Sequence, residues 1–357
     1  MENNKAKKVL DAYMSANNMK DIIIYKDSKE SVATNKYGAI ILAIAVNSEF
    51  NLTDDIAKAI RLISLSEVDL SSLDNIGNYL DEQRNFKEDM IIKGSNIEEM
   101  LASNCIFLDQ IISRQIFLNG EEGLEDYFIK LFPLGTDKSS LRKISKFYLY
   151  NYKLKHLDRS GWDKKHWGVQ TDRIESIADH VIGTIVLAMV MNIEYQSDID
   201  INKVVTTLAL HEIGESVIGD ITPFDGTDKL LMKAEIETIA MGEVLGNLKM
   251  RKTMMKYLND FQFQKSKEAR FAHLCDKIEA DLQAKVYQDN GMQKSLADQK
   301  GNVAYNSDKL RKLINNGAQT VFNIWYEYDK GLYVKDADFK KLLEEANKTN
   351  LVKMRKL

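Results

Sequence analysis

Apolar residues recur along this chain at the spacing of helices. Ile177, Val181, Ile182, Ile185, Val186 and Met189 follow the i, i+3, i+4 rule that lines up one broad face of a 3.6-residue turn. The same period runs through Ile201–Val217, and the intervening QSDID offers the serine and aspartate that start a helix by accepting its first free N–H groups. Further on, Lys229–Leu245, Lys249–Phe263 and Lys267–Tyr287 predict three more helices, separated by Gly246 and by the polar stretch near Gln264. Asp308–Tyr328 and Asp336–Ala346 predict two helices in a tail that ends in lysine and arginine, the composition of a solvated terminus. The expected fold is all-α.

The pattern also repeats. The segment from Lys29 (KESVATNKYGAIILAIAVNSEFNLTDDIAKAIRLISLSE) lies over the segment from Ile174 (IESIADHVIGTIVLAMVMNIEYQSDIDINKVVTTLALHE) at a constant offset and without a gap. From Glu30/Glu175 to Glu67/Glu212 there are roughly 14 identities in 38 positions, among them Ser31/Ser176, Gly38/Gly183, Asn47/Asn192 and Asp55/Asp200. Shared helical periodicity inflates such a count, but the matched polar and glycine positions do not follow from periodicity. The repeat predicts two homologous helical bundles, residues 1–145 and 146–300, related by a pseudo-twofold axis, with a helical extension at 301–357 packed across one or both.

Composition narrows the class. With 357 residues, 44% hydrophobic and 29% charged, the chain is long enough for two or three packed domains and too ordinary for disorder or a fibre. Two prolines and 14 methionines fit helices. Its 49 basic and 53 acidic residues leave a net charge of −4, too balanced to suggest a long nucleic acid or a membrane surface as partner. Cys105 and Cys275, far apart and outside any CxxC, make neither a disulfide framework nor a zinc finger. The apolar runs Gly38–Val46 and Val181–Met191 fall short of the roughly 18 residues of a membrane span, and MENNKAKK has no apolar signal core. A cytoplasmic protein is expected.

The residues suited to chemistry gather in the second repeat. His180 lies mid-helix beside Asp179, His211 is followed by Glu212 on the next helix, and Asp276 sits in the apolar stretch FAHLCDKIEADL. A single histidine on an apolar helix face is usually a core residue. Two imidazoles and two carboxylates from three helices, however, could enclose one divalent ion, and this N/O set suits Mn, Fe, Co, Ni or Mg better than structural zinc. Glu215 follows Glu212 by three residues and His211 by four, which on a continuous helix places it on the same face without making it a ligand. It is either a general acid or base beside the ion or an exposed helix carboxylate. There is no GxxxxGK[ST] loop, GxSxG elbow or strand-linked GxGxxG, and HEIGE lacks the second histidine of a zincin.

The order His180, His211–Glu212, Asp276 resembles the H…HD…D signature of the HD-domain metal-dependent phosphohydrolases. RSGW (159–162), ESIADH (175–180), HEIGESVIGDITP (211–223) and RFAHLCDKIEADLQAKVY (270–287) are similar to the branch of bacterial 5′-deoxynucleotidases and the eukaryotic HD-domain-containing protein 2. The resemblance covers His156 to Asp289. It implies an all-α HD bundle binding one divalent ion through His180, His211, Glu212 and Asp276, with Glu215 as the catalytic carboxylate. It further implies Arg159, Trp162 and Asp220 beside the substrate: a guanidinium fork for phosphate and an indole face for sugar or base. Trp162 is equally well an ordinary packing anchor. His166 and Trp167 lie nearby without a clear match, and His273 could substitute as a ligand, pack or line the pocket.

The expected substrate is a small nucleotide, most simply a 5′-(deoxy)nucleoside monophosphate. Release of triphosphate from a dNTP, and nucleotide sensing with weak catalysis, stay open. The doublet is HE where the signature has HD, and the added methylene shifts the carboxylate by roughly an ångström, which bears on metal choice. A GYP motif after the doublet, expected of HD-type cyclic-dinucleotide phosphodiesterases, is absent. In the first repeat His180 corresponds to Asn35, His211 to Ser66 and Glu215 to Leu70, while Glu67 keeps the place of Glu212. The N-terminal copy is therefore expected to be a degenerate domain that makes an intramolecular pseudo-dimer, with a homodimer also possible.

Overall fold

The computed structural model describes residues 2–26, 28–76, 96–131, 136–221, 227–302 and 305–354; Pro133, Pro223 and the end of the 211–223 motif lie outside these. The fold is all-α, 69% helical, and the described residues contain two isolated β-bridges, Ile23 with Ser31 and Asp158 with Ser176, but no strand. The helices are α1 (Glu2–Asn17), α2 (Val32–Phe50), α3 (Ile56–Leu65), α4 (Ile97–Asn119), α5 (Leu124–Leu131), α6 (Lys138–Tyr152), α7 (Ile177–Tyr195) and α8 (Ile201–Leu210). They continue as α9 (Glu215–Ile218), α10 (Thr227–Leu245), α11 (Arg251–Phe263), α12 (Lys267–Asp289), α13 (Asp308–Asn315), α14 (Val321–Asp329) and α15 (Ala337–Lys348).

The two repeated segments follow parallel courses. Ser31 caps α2 and Ser176 caps α7, each in a reciprocal capping box with the residue three positions on, and both helices stop at a left-handed residue, Asn51 and Gln196. The two N-termini meet, since Ser31 Oγ donates to Asp179 Oδ1 at 2.6 Å. α2 packs against α7 and α3 against α8. Gly38 lets α2 approach the Asp109 carboxylate of α4 and Gly183 lets α7 approach the Glu279 carboxylate of α12, and a methyl group at either glycine would collide with that carboxylate. α7 is long and apolar enough to cross a membrane, with a mean hydropathy of 1.5, but 94% of that window is buried inside the protein. It is the core helix of the fold.

Three boundaries differ from the periodicity. The helix expected over Ile201–Val217 breaks at turns spanning 211–214, where the His211 ring folds back onto Leu208 O. The tail helix expected over Asp308–Tyr328 is two helices, because Gly317 turns the chain with φ +104°. The expected boundary at 145/146 falls inside α6, and one continuous hydrophobic core runs from Ala6 to Leu351 through both halves. A second cluster joins Trp162, Trp167 and Tyr287 to the tail residues Leu310, Val321, Phe322 and Ile324.

α6 and the 3-10 turn after it, Lys153–Lys155, pack on α2. There the Lys155 ammonium is buried 2.8 Å from Glu30 Oε2 and 3.0 Å from Asp109 Oδ2. Burial raises the pKa of both carboxyls; Lys155 outweighs it at Glu30, which stays well below the usual range, whereas Asp109 remains raised. Replacing Lys155 by methionine leaves both without their shared cation and is expected to cost about 3–5 kcal/mol of stability. Denaturant unfolding checks this, and an unchanged midpoint and slope would contradict it.

Candidate metal centre

Three elements converge on four side chains. α7 carries His180 one turn inside its Ser176 cap, the turn after α8 carries His211 and Glu212, and the middle of α12 carries Asp276. One donor atom from each lies within 4.8 Å of the others. His180 Nε2 stands 3.1 Å from Asp276 Oδ1 and 3.8 Å from Glu212 Oε1, and His211 Nε2 stands 3.5 Å from Glu212 Oε1 and 3.8 Å from Asp276 Oδ1. Two donors each about 2.1 Å from one ion are about 3.0–3.5 Å apart at octahedral or tetrahedral angles, so these separations suit a single divalent cation after small side-chain adjustments. His211 Nε2 is buried without a hydrogen bond, the mark of a lone pair awaiting a ligand. The longer arm of Glu212 still brings its carboxylate into the group.

The tautomers follow from the partners. His211 Nδ1 lies 2.7 Å from Leu208 O, and since a carbonyl only accepts, Nδ1 carries the proton and Nε2 faces the carboxylates bare. His180 Nδ1 donates to Glu279 Oε2 at 2.5 Å, again turning Nε2 to the site. Burial and the Arg159 charge oppose protonation of His180, yet Glu279 and Asp276 raise its pKa to about 9. Burial also works against ionising Asp276, but Lys277, at 2.9 Å, and the two imidazoles hold it well below the usual carboxylate range. At Glu212 burial is outweighed chiefly by His211.

Glu215 opens the short helix α9 just past the broken end of α8. It is buried, its Oε2 has no hydrogen-bond partner, and burial together with the charges of Glu212 and Asp220 raises its pKa well above the ordinary value. The continuous helical face expected from the sequence is absent: turns at 211–214 separate His211 and Glu212 from the helix that Glu215 opens. Arg159 Nη1 reaches Glu212 Oε1 at 3.5 Å. Asp220 steadies that loop: its Oδ2 accepts from Ser160 N at 2.7 Å and its carbonyl from Ser160 Oγ at 2.9 Å.

Trp162 is a packed core residue. It is 1% exposed, its indole N–H donates to Glu175 Oε1 at 2.8 Å, and its ring packs on Tyr287 and Trp325, both 5.5 Å away. This burial favours the packing-anchor alternative, because Tyr287 of α12 and Trp325 of the tail cover the indole. His166 bonds Asp163 and lies apart from the cluster. His273 stays outside the four-residue group, where burial lowers its pKa to about 4 and its ring meets Phe261 at 5.9 Å. Sequence reasoning missed two cations at this site, Lys277 beside Asp276 and Lys233, which donates to Ile221 O at 2.7 Å and feels Glu237, Glu212 and Glu215. At the matching place in the first half, Asn35 bonds Asp109, the Lys36 ammonium donates to Ser66 Oγ at 2.7 Å and Ile63 O at 3.2 Å, and Glu67 is exposed.

The HD domain family matches residues 152–316, the stretch that holds all of these groups except those of the first half. Human 5′-deoxynucleotidase HDDC2 is 29% identical over 150 residues, 42% of this chain and 70% of that protein. The Dictyostelium discoideum 5′-deoxynucleotidase HDDC2 is 31% identical over 143 residues, 38% of this chain and 73% of that protein. The chain belongs to the HD domain family. A crystal structure of PH0347 protein from Pyrococcus horikoshii OT3 matches 59% of this HD-domain chain and 99% of its own, at 23% identity and a TM-score of 0.40. The HD match starts at Tyr152, the last residue of α6, and ends at Asn316, just past α13, so residues 2–151 lie outside it.

Proposed function

We propose that the protein is a metal-dependent nucleotide phosphohydrolase that releases phosphate from 5′-(deoxy)nucleoside monophosphates. HD-family membership carries the metal-dependent hydrolase class, and the relatives named 5′-deoxynucleotidase carry the substrate. The single observation that supports it most is the convergence of His180, His211, Glu212 and Asp276 within 4.8 Å, next to a buried carboxyl group that is not one of the four. A divalent ion held there would supply Lewis acidity to a phosphoryl oxygen and lower the pKa of a water it binds. Arg159 binds the phosphate, and Asp220 keeps its loop in place. Lys233 and Lys277 add positive charge on the same side, which favours a dianionic phosphate group. Glu215, unpartnered and raised in pKa, exchanges protons with the water and the leaving oxygen.

The duplicated-domain reading belongs with this proposal. Paired capping boxes, paired left-handed stops and paired glycine–carboxylate contacts support two copies. Asn, Ser and Leu in place of His180, His211 and Glu215 support a first copy without metal chemistry. A panel of dNMPs and dNTPs incubated with Mn²⁺ or Co²⁺ tests the substrate: inorganic phosphate from dNMPs is expected. Triphosphate from dNTPs would replace the substrate assignment, and no product from any nucleotide with metal bound would overturn the function.

A further inference from the structure

The carboxylate that orients His180 is itself held from the other half of the chain. Glu279 gives Oε2 to His180, while its Oε1 accepts from the Tyr13 hydroxyl at 2.9 Å and from Lys20 Nζ at 2.7 Å. Lys20 also binds Glu175 Oε2 at 2.6 Å and Gln283 Oε1 at 3.1 Å. The Lys20 side chain is 4% exposed and that of Glu279 is 0% exposed, so no water competes for these bonds. Tyr13 belongs to α1 and Lys20 to the 3-10 turn Asn18–Lys20, and α1 packs chiefly on α7 and α15.

The first half receives the same service in return. Tyr148 donates to Asp109 Oδ1 at 2.6 Å, and Lys155 bridges Asp109 and Glu30. Tyr13 and Lys20 are seven residues apart, as are Tyr148 and Lys155. Each half thus lends the helix that precedes its repeated segment to the other half, and one of the two loans ends on a histidine of the metal group.

We propose that Tyr13 and Lys20 are positioning residues of the metal centre, fixing Glu279 so that its bond to His180 Nδ1 holds the ring with Nε2 turned to the ion. This rests on the metal-site reading above and extends it: the N-terminal half is part of the centre's support and not only a packing partner. Without Lys20, Glu279 loses a bond that fixes its Oε1, and the carboxylate can rotate away from His180 Nδ1 and release the imidazole. Losing the direct carboxylate partner of a ligating histidine lowers metal affinity by about 10–100-fold, which bounds the effect of loosening that carboxylate.

The test compares the two arms on the full chain. Metal-free protein carrying Lys20→Met, Tyr13→Phe, Lys155→Met or Tyr148→Phe is titrated with Mn²⁺ or Co²⁺ by calorimetry, and its thermal melting is recorded without metal. All four substitutions remove a buried bond and are expected to lower the melting temperature. Only Lys20→Met, by up to about 10–100-fold, and Tyr13→Phe, by less, are expected to weaken metal binding. Unchanged metal affinity in both arm variants, or equal weakening by Tyr148→Phe and Lys155→Met, would overturn the proposal. If the lysine variants do not fold, Tyr13→Phe against Tyr148→Phe decides it alone. An unaltered chain that binds no metal overturns the site assignment, and the inference with it.

Discussion

Replacing Glu215 by glutamine is expected to lower phosphate release from a deoxynucleoside monophosphate by about 10²–10⁴-fold, the span of a lost general acid or base. The substitution suits the question because Glu215 Oε2 makes no hydrogen bond, so an amide of the same shape removes no structural contact. Glu215 is also outside the four-residue metal group, so metal stoichiometry and melting temperature should stay as they were. Steady-state turnover with metal content measured on the same sample checks this. Undiminished turnover, or a loss matched by lost metal, would remove Glu215 from the proton-transfer role.

His211→Ala is expected to do more damage by another route. It deletes a bare Nε2 whose orientation is fixed by the bond from Nδ1 to Leu208 O, and it takes one of the four donors out of the group gathered within 4.8 Å. Metal content should fall from one ion per chain to none, and turnover should disappear with it. The matching change in the first half, Ser66→Ala, should leave metal content unchanged. Undiminished metal in His211→Ala, or two ions per chain in the unaltered protein, would contradict the assignment.

The helices and the four ligand candidates were legible because each leaves a local trace: a 3.6-residue apolar period, a serine cap, or histidine and acid at family spacing. The break at His211–Gly214 left none, since the apolar period continues through it and only the ring's return to Leu208 O shows where the helix ends. Trp162 was ambiguous for a related reason: a tryptophan beside an arginine reads as a ligand face until Trp325 and Tyr287 are seen to cover it. The support of His180 was beyond reach of pattern, because Lys20 and Glu279 are 259 residues apart and both read as ordinary polar positions. One clue did exist. Lys20 precedes Glu30 by ten residues and Lys155 precedes Glu175 by twenty, so extending the repeat with a gap pairs Tyr13 and Lys20 with Tyr148 and Lys155. The residues that this gap adds before Glu175 include Arg159.

The central claim is that one divalent ion in the second half turns this chain into a nucleotide phosphohydrolase. It is tested most directly by adding Mn²⁺ or Co²⁺ stepwise to metal-free protein and following inorganic phosphate released from a deoxynucleoside monophosphate. Activity should rise from nil and level off at one equivalent per chain. Saturation of metal binding with no phosphate released from any nucleotide offered, or the same release with metal chelated, would contradict it.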